Sequence, residues 1–297
     1  MTTPPKTKCG YVSIIGRPNV GKSTLLNRLV GLKIAGVSPK PQTTRNLVRG
    51  ILTRPEGQIV FVDTPGLHKP HDLLGEWMVH EVAKSLEEID LLYWIVLPGD
   101  LHPEDAKILE MVKKTTKPVF LLINQTDRFP KPALLPVLEH YSKEFNFQEL
   151  IPISAKQGDQ MDVLIRKSFE NLPEGPPLFP EDQISDQSER FIVAEILREK
   201  LFICTGEEIP YATAVEIETF QEREDGLINI EATILVERDS QKAIVIGKDG
   251  AKLKEIGRFA RVEMERFLER KVFLKTWVKT LPNWKKDPAA LRRLGYQ

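Results

Sequence analysis

At 297 residues, with 41% apolar and 28% charged side chains, the chain is long enough for two domains of about 150 residues, and its make-up excludes a disordered or fibrous protein. Its formal charge is zero, but residues 1–194 carry 23 Lys/Arg against 24 Asp/Glu, residues 195–237 carry 3 against 11, and residues 238–297 carry 16 against 7. Two cysteines, Cys9 and Cys204, and five scattered histidines exclude a disulfide framework and a Cys/His metal site.

Both thiols read as reduced residues of a cytosolic protein. The segment Met1–Lys8 lacks the apolar stretch of a signal peptide, and the most apolar runs, near 91–97 and 119–123, are strand-length. Strand patterns are expected at Tyr11–Ile15, Leu47–Leu52, Ile59–Asp63, Leu91–Val96, Val119–Ile123 and Leu150–Ile153. Amphipathic helical patterns fall between them at Lys22–Val30, Leu74–Ser85, Pro103–Lys114 and Ala133–Phe145. This alternation predicts an α/β domain over 1–172, with a mostly parallel sheet and helices on both faces.

The first strand runs straight into Gly16-Arg17-Pro18-Asn19-Val20-Gly21-Lys22-Ser23, a complete GxxxxGK[ST] that opens a helix, with Thr24 next as a further nucleotide-binding candidate. The glycines let backbone N–H groups wrap around phosphates, aided by the positive end of the helix. Lys22 is expected on the β- and γ-phosphates and the Ser23 hydroxyl on Mg²⁺. Pro41-Gln-Thr-Thr44-Arg45 reads locally as a polar loop between helix and strand. Asp63-Thr64-Pro65-Gly66 ends the third strand, where a carboxylate can hold Mg²⁺ and the Gly66 N–H can meet a γ-phosphate. The same four residues would also make a simple turn.

Asn124-Gln125-Thr126-Asp127 follows the fifth strand and Ser154-Ala155-Lys156 the sixth. A carboxylate at Asp127 can accept from guanine N1–H and its exocyclic amine, whereas adenine would leave it unpaired. Four such motifs in this order, each at a strand end, resemble the translation-factor-related class of GTPases. That resemblance implies that 41–45 is the first switch and that Thr44 completes the Mg²⁺ shell. It also implies that Asn124, Asp127 and Ala155 read guanine. Two departures stand out. Gln125 replaces the usual lysine of the base motif, which implies guanine preference with weaker affinity and is the one feature that favours an ATPase. Leu67 stands where Ras-type enzymes carry a water-orienting glutamine, so slow intrinsic hydrolysis is expected and the catalytic group is unassigned.

Pro173, Pro176, Pro177 and Pro180, followed by the polar segment Glu181–Glu189, predict a semi-rigid linker over 173–189. Within 190–297, Phe191, Ala194, Leu197 and Leu201 have helical spacing, and strands are expected over Tyr211–Thr219 and around Ile228–Val236. A helix, Gly247-Lys248-Asp249-Gly250, a second helix with Leu253, Ile256, Ala260 and Phe267 inward, and a strand near Val272–Val278 follow. This order is that of a smaller α+β, KH-type module, whose GxxG loop lets a nucleic-acid backbone approach closely. Lys254, Arg258 and Arg261 form a basic stripe beside it, readable as an RNA contact or as a solvated helix face. Trp277 and Trp284 are candidates either for base stacking or for burial. A nucleotide-gated adaptor whose basic tail docks on acidic lipid or protein is the competing class.

A P-loop GTPase joined to a carboxyl-terminal KH module resembles the Era family over essentially the whole chain. Glu208-Ile-Pro210-Tyr211, Val236-Glu237-Arg238, Trp277-Val278-Lys279 and Ala290-Leu-Arg-Arg-Leu-Gly-Tyr296 carry the resemblance further. It implies an Mg²⁺-dependent enzyme that converts GTP to GDP and has a role in maturing the small ribosomal subunit, and a cytoplasmic monomer is expected. Its implied partners are the 3′ end of small-subunit ribosomal RNA and the 30S subunit, with some peripheral association at the inner face of the cell membrane.

Overall fold

The computed structural model describes residues 7–66, 70, 72–99, 102–206 and 208–296. They fall into two compact units. One is drawn from Met1–Ile34, Thr44–Lys69 and Met78–Asp186, the other from Ala35–Thr43, Pro70–Trp77 and Gln187–Gln297.

The first unit contains strands β1 (Lys8–Ile15), β2 (Val48–Arg54), β3 (Gly57–Asp63), β4 (Leu91–Val96), β5 (Val119–Ile123) and β6 (Glu149–Pro152). Its helices are α1 (Lys22–Val30), most of α2 (Leu73–Ser85), α3 (Pro103–Val112), α4 (Leu134–Glu144) and α5 (Met161–Asn171). The strands lie in the order β2-β3-β1-β4-β5-β6, all parallel except the edge strand β2, which runs antiparallel to β3. As the sequence predicts, this is a mostly parallel P-loop sheet. Continuous burial of β3, β4 and β5 is the mark of strands covered on both faces. One apolar layer gathers Leu92, Trp94 and Val96 with Ile108 and Val112 of α3 and Tyr141 of α4. The strand order switches direction at β1, with β3 on one side of it and β4 on the other. That places the loops after β1, β3, β5 and β6 along one rim, where such folds bind ligands.

The proline-rich stretch read as a linker is laid against this unit. Leu172 is buried, Cys9 N donates to Pro173 O, and Ile51 N donates to Ile184 O at 2.7 Å. The fully buried Gln58 accepts from Leu178 N and Phe179 N and donates to Phe179 O. Arg49 pairs with Asp186 at 2.7 Å.

The second unit contains α6 (Glu189–Cys204), α7 (Ile209–Ala212), β7 (Ala214–Glu222), β8 (Ile228–Val236), α8 (Asp239–Ile246), α9 (Ala251–Leu268), β9 (Val272–Thr280) and α10 (Pro288–Arg293). Its sheet runs β7-β8-β9, with β7 antiparallel and β9 parallel to β8, and α6 packs on α9. Two details differ from expectation. Tyr211 lies in the short helix α7 rather than in a strand, because Pro210 sits in its first turn and its fixed φ suits that position. In α9 the inward residues are Ile256, Ala260, Met264 and Leu268, while Leu253 and Phe267 are half-buried at the flanks. Trp284 is fully buried, with Nε1 donating to Ala212 O at 3.0 Å, so it is a core residue rather than an exposed stacking platform. Trp277 is half-buried under Lys275, whose Nζ lies 4.6 Å from its ring centroid.

Candidate nucleotide and RNA sites

Gly16 to Gly21 form a turn between β1 and α1, and Lys22 and Ser23 open the helix. Lys22 is buried, and its Nζ donates to Gly16 O and Arg17 O, both at 3.0 Å. Burial, only partly offset by nearby Asp63, lowers its pKa to about 8. Arg17 is held by Asp105 of α3 at 3.2 Å, and burial raises the carboxyl pKa of Asp105. Asn19 is exposed, Pro18 half-buried and Val20 in the core. Gly21 has φ 103°, and a Cβ there would lie 2.3 Å from Asn124 Nδ2, so no other residue fits.

Ser23, Thr44 and Asp63 come together although they lie on three separate segments. Ser23 Oγ is 2.7 Å from Asp63 Oδ2 and 2.8 Å from Thr44 Oγ1, and Thr44 Oγ1 is 3.3 Å from the same carboxylate oxygen. Asp63 is completely buried. Thr24, the next residue of α1, is half-buried. The Thr64 hydroxyl is used structurally, donating to Ile14 O at 2.8 Å, and Pro65 is buried. Gly66 lies against the phosphate loop: a Cβ there would be 3.0 Å from Pro18 Cγ. Leu67 lies outside the described residues.

Asn124 is 2% exposed and braces the site. Its Nδ2 donates to Val20 O at 2.6 Å and its Oδ1 accepts from Ala155 N at 3.0 Å. Ser154 Oγ donates to Asp127 Oδ1 at 2.6 Å, which fixes that carboxylate at the rim. Gln125 has φ 64°, and its Oε1 accepts from Arg128 Nη1 at 3.0 Å. Lys156 is exposed. The strand-end motifs therefore meet along one rim: hydroxyls, one carboxylate and an ammonium at one end, and an Asp with backbone N–H groups at the other. Sequence reasoning missed Asp105 and Arg28, whose Nε donates to Ala155 O at 3.2 Å. Neither belongs to a recognisable spacing.

In the second unit, Gly247 and Gly250 both have positive φ, 72° and 74°, and between them Lys248 and Asp249 are exposed. A Cβ on Gly247 would come within 2.6 Å of Lys252 Cβ. A groove of about 380 Å³ lies between α9 and β9, lined by Leu253, Lys254, Gly257, Arg258, Arg261, Leu274 and Thr276. The basic stripe thus lines a groove rather than a featureless helix face.

A family model described as "50S ribosome-binding GTPase" matches residues 11–125, and one described as "KH domain" matches residues 208–285. The chain is 47% identical over 292 residues to GTPase Era of Ruminiclostridium cellulolyticum, covering 98% of each. It is 50% identical over 294 residues to GTPase Era of Geobacter metallireducens, covering 97% of this chain and 98% of that one. The chain belongs to the Era family of GTPases. As an Era-family enzyme it hydrolyses GTP to GDP and phosphate.

Two solved Era structures superpose on it with TM-score 0.94 at 42% identity, covering 98% of this chain and 99% of theirs. One is a point variant of Aquifex aeolicus Era bound to GDP·AlF4⁻. The other is Era in complex with MgGDPNP and nucleotides 1506–1542 of 16S ribosomal RNA.

Proposed function

We propose that this Era-family chain is an Mg²⁺-dependent switch that binds and hydrolyses GTP, binds the 3′ end of small-subunit ribosomal RNA and assists maturation of the small subunit. The observation that carries the nucleotide half is the cluster of Ser23, Thr44 and Asp63 oxygens beside buried Lys22. The donor set fits Mg²⁺, a hard cation that takes hydroxyl, one or two carboxylates and phosphate oxygens. Among the described residues, no group of three His, Cys, Asp or Glu side chains could hold a metal by itself. Ser23, Thr44 and Asp63 would hold the ion, which when bound neutralises charge on the β- and γ-phosphates.

The remaining roles follow from position. Lys22 and the N–H groups of residues 16–24 would take the phosphates, and the Gly66 N–H the γ-phosphate. Asp127 would accept from guanine N1–H and the amine, and Lys156 would present its N–H to the base, next to an Ala155 N–H that donates to Asn124 Oδ1. Asn124 holds these two ends of the site together. Loss of the γ-phosphate would release the loops around Thr44 and Gly66.

For the RNA half, Gly247–Gly250 and the groove bearing Lys254 and Arg258 suit single-stranded RNA whose backbone must come close to the loop. The RNA-bound Era structure at 42% identity supports this reading. Action on the 30S subunit as a cytoplasmic monomer, with peripheral membrane contact, rests on the family resemblance. Among the described residues no helix is long and apolar enough to cross a membrane. Replacing Gly247 and Gly250 together by Asp is expected to abolish binding of a 16S 3′-end oligonucleotide while GDP affinity is kept. RNA affinity equal to wild type in a titration would remove the RNA assignment.

A further inference from the structure

Arg28 occupies the last turn of α1, the helix that begins at Lys22. Its side chain reaches the loop after β6, where Nε donates to Ala155 O at 3.2 Å and Nη2 donates to Lys156 O. The guanidinium lies over Gly158, whose missing Cβ would be 3.7 Å from Arg28 Cδ. The other side of the same loop is tied to the proposed base-reading residues, through Ala155 N to Asn124 Oδ1 and Ser154 Oγ to Asp127 Oδ1. A trans peptide is planar, with its C=O and the following N–H pointing in opposite directions. Gripping Ala155 O from the Arg28 side therefore turns the Lys156 N–H away from Arg28. The loop is clamped between an arginine on its carbonyls and the Asn124–Asp127 pair.

We propose that Arg28 is a positioning residue for base recognition, fixing the Ala155–Lys156 peptide so that the Lys156 N–H meets the oxygen at purine C6. The inference rests on the guanine reading above. A keto oxygen at C6 accepts this N–H. The exocyclic amine that adenine carries there would face it donor to donor, and this contact adds to the rejection of adenine by Asp127 only if the peptide cannot rotate. A guanidinium holding two successive carbonyls supplies that restraint, since its donors lie in a rigid fork.

The test measures binding of GDP and 6-thioguanosine diphosphate to the full chain, with Arg28→Ala and Arg28→Lys. The thio analogue keeps N1–H and the amine but offers only a weak acceptor at C6. Arg28→Ala is expected to weaken GDP binding about tenfold, the worth of one well-made hydrogen bond, and to change the thio analogue less than about twofold. Arg28→Lys, which keeps one donor, should fall between. Unchanged GDP affinity, or equal losses for the two nucleotides, would overturn the proposal. Asp127→Asn in parallel should shift preference from GDP to XDP whatever stands at Arg28. Failure of that shift would overturn the guanine reading itself.

Discussion

Lys22 shows how a single buried charge makes nucleotide binding depend on pH. Its pKa in the free protein is lowered to about 8 by desolvation, against 10.5 for an ordinary lysine. Phosphate oxygens favour the ammonium form, so binding takes up a proton wherever the free side chain is neutral. Affinity should therefore be full below pH 8 and decline as the pH rises above it. Calorimetry of GDP binding in two buffers of different ionisation enthalpy should find proton uptake at pH 9 that shrinks as the pH is lowered toward 7. Lys22 is legible from sequence because GxxxxGK[ST] fixes its chemistry by spacing. Arg28 and Asp105 are not, because a side chain that reaches a carbonyl or another side chain across the fold leaves no periodic trace. The double engagement of Asn124 is hidden for the same reason: NxxD names the residue but not which of its amide atoms the protein already uses.

At the scale of elements, helix α1 and strands β4 and β5 match their expected bounds, and the other strands of the sheet do so within a few residues. Their apolar runs are strand-length and bounded by turn chemistry. Helix α5 is absent from the sequence-based expectation. Its buried set, Met161, Leu164, Ser168 and Phe169, includes a serine whose hydroxyl donates to Leu164 O, so the apolar stripe is thin. The prolines of 173–180 announce irregular backbone, but nothing in them announces its partner. That partner is Gln58, which lies one residue before the strand expected from Ile59 but is the second residue of β3 and the clamp for Leu178 and Phe179. Gln58→Ala would remove three part-buried hydrogen bonds to Leu178 and Phe179 and should cost about 1–3 kcal/mol. A lower urea midpoint, with faster proteolytic cleavage within 174–186, would be the observable.

For the whole molecule, net charge is the wrong unit, because a near-neutral GTPase portion and an acidic stretch hide a carboxyl-terminal segment of +9. Part of that charge, Lys254, Arg258 and Arg261, lines the groove between α9 and β9 that we propose for RNA. Replacing Lys254 and Arg258 together by Gln should lower the slope of log affinity for the 16S oligonucleotide against log salt by about 1.4, at roughly 0.7 per phosphate contact. GDP binding should be unchanged, since both residues belong to the second unit. An unaltered slope would place the electrostatic contact elsewhere.

The covering of β2 has a consequence of another kind. A six-stranded sheet has two edges, and an unpaired edge is a template on which other chains can assemble. At one edge β6 is only four residues long and ends in Pro152. At the other, β2 is longer, and its outer hydrogen-bonding groups are met by Ile184 and Ser185 through the Ile51–Ile184 bond and the Gly50–Ser185 bridge. The segment that leads out of the nucleotide-binding unit is thus also its seal against aggregation. During synthesis the sheet is complete well before that seal emerges, so the interval between residues 152 and 185 leaving the ribosome is when the chain is most exposed to misassembly.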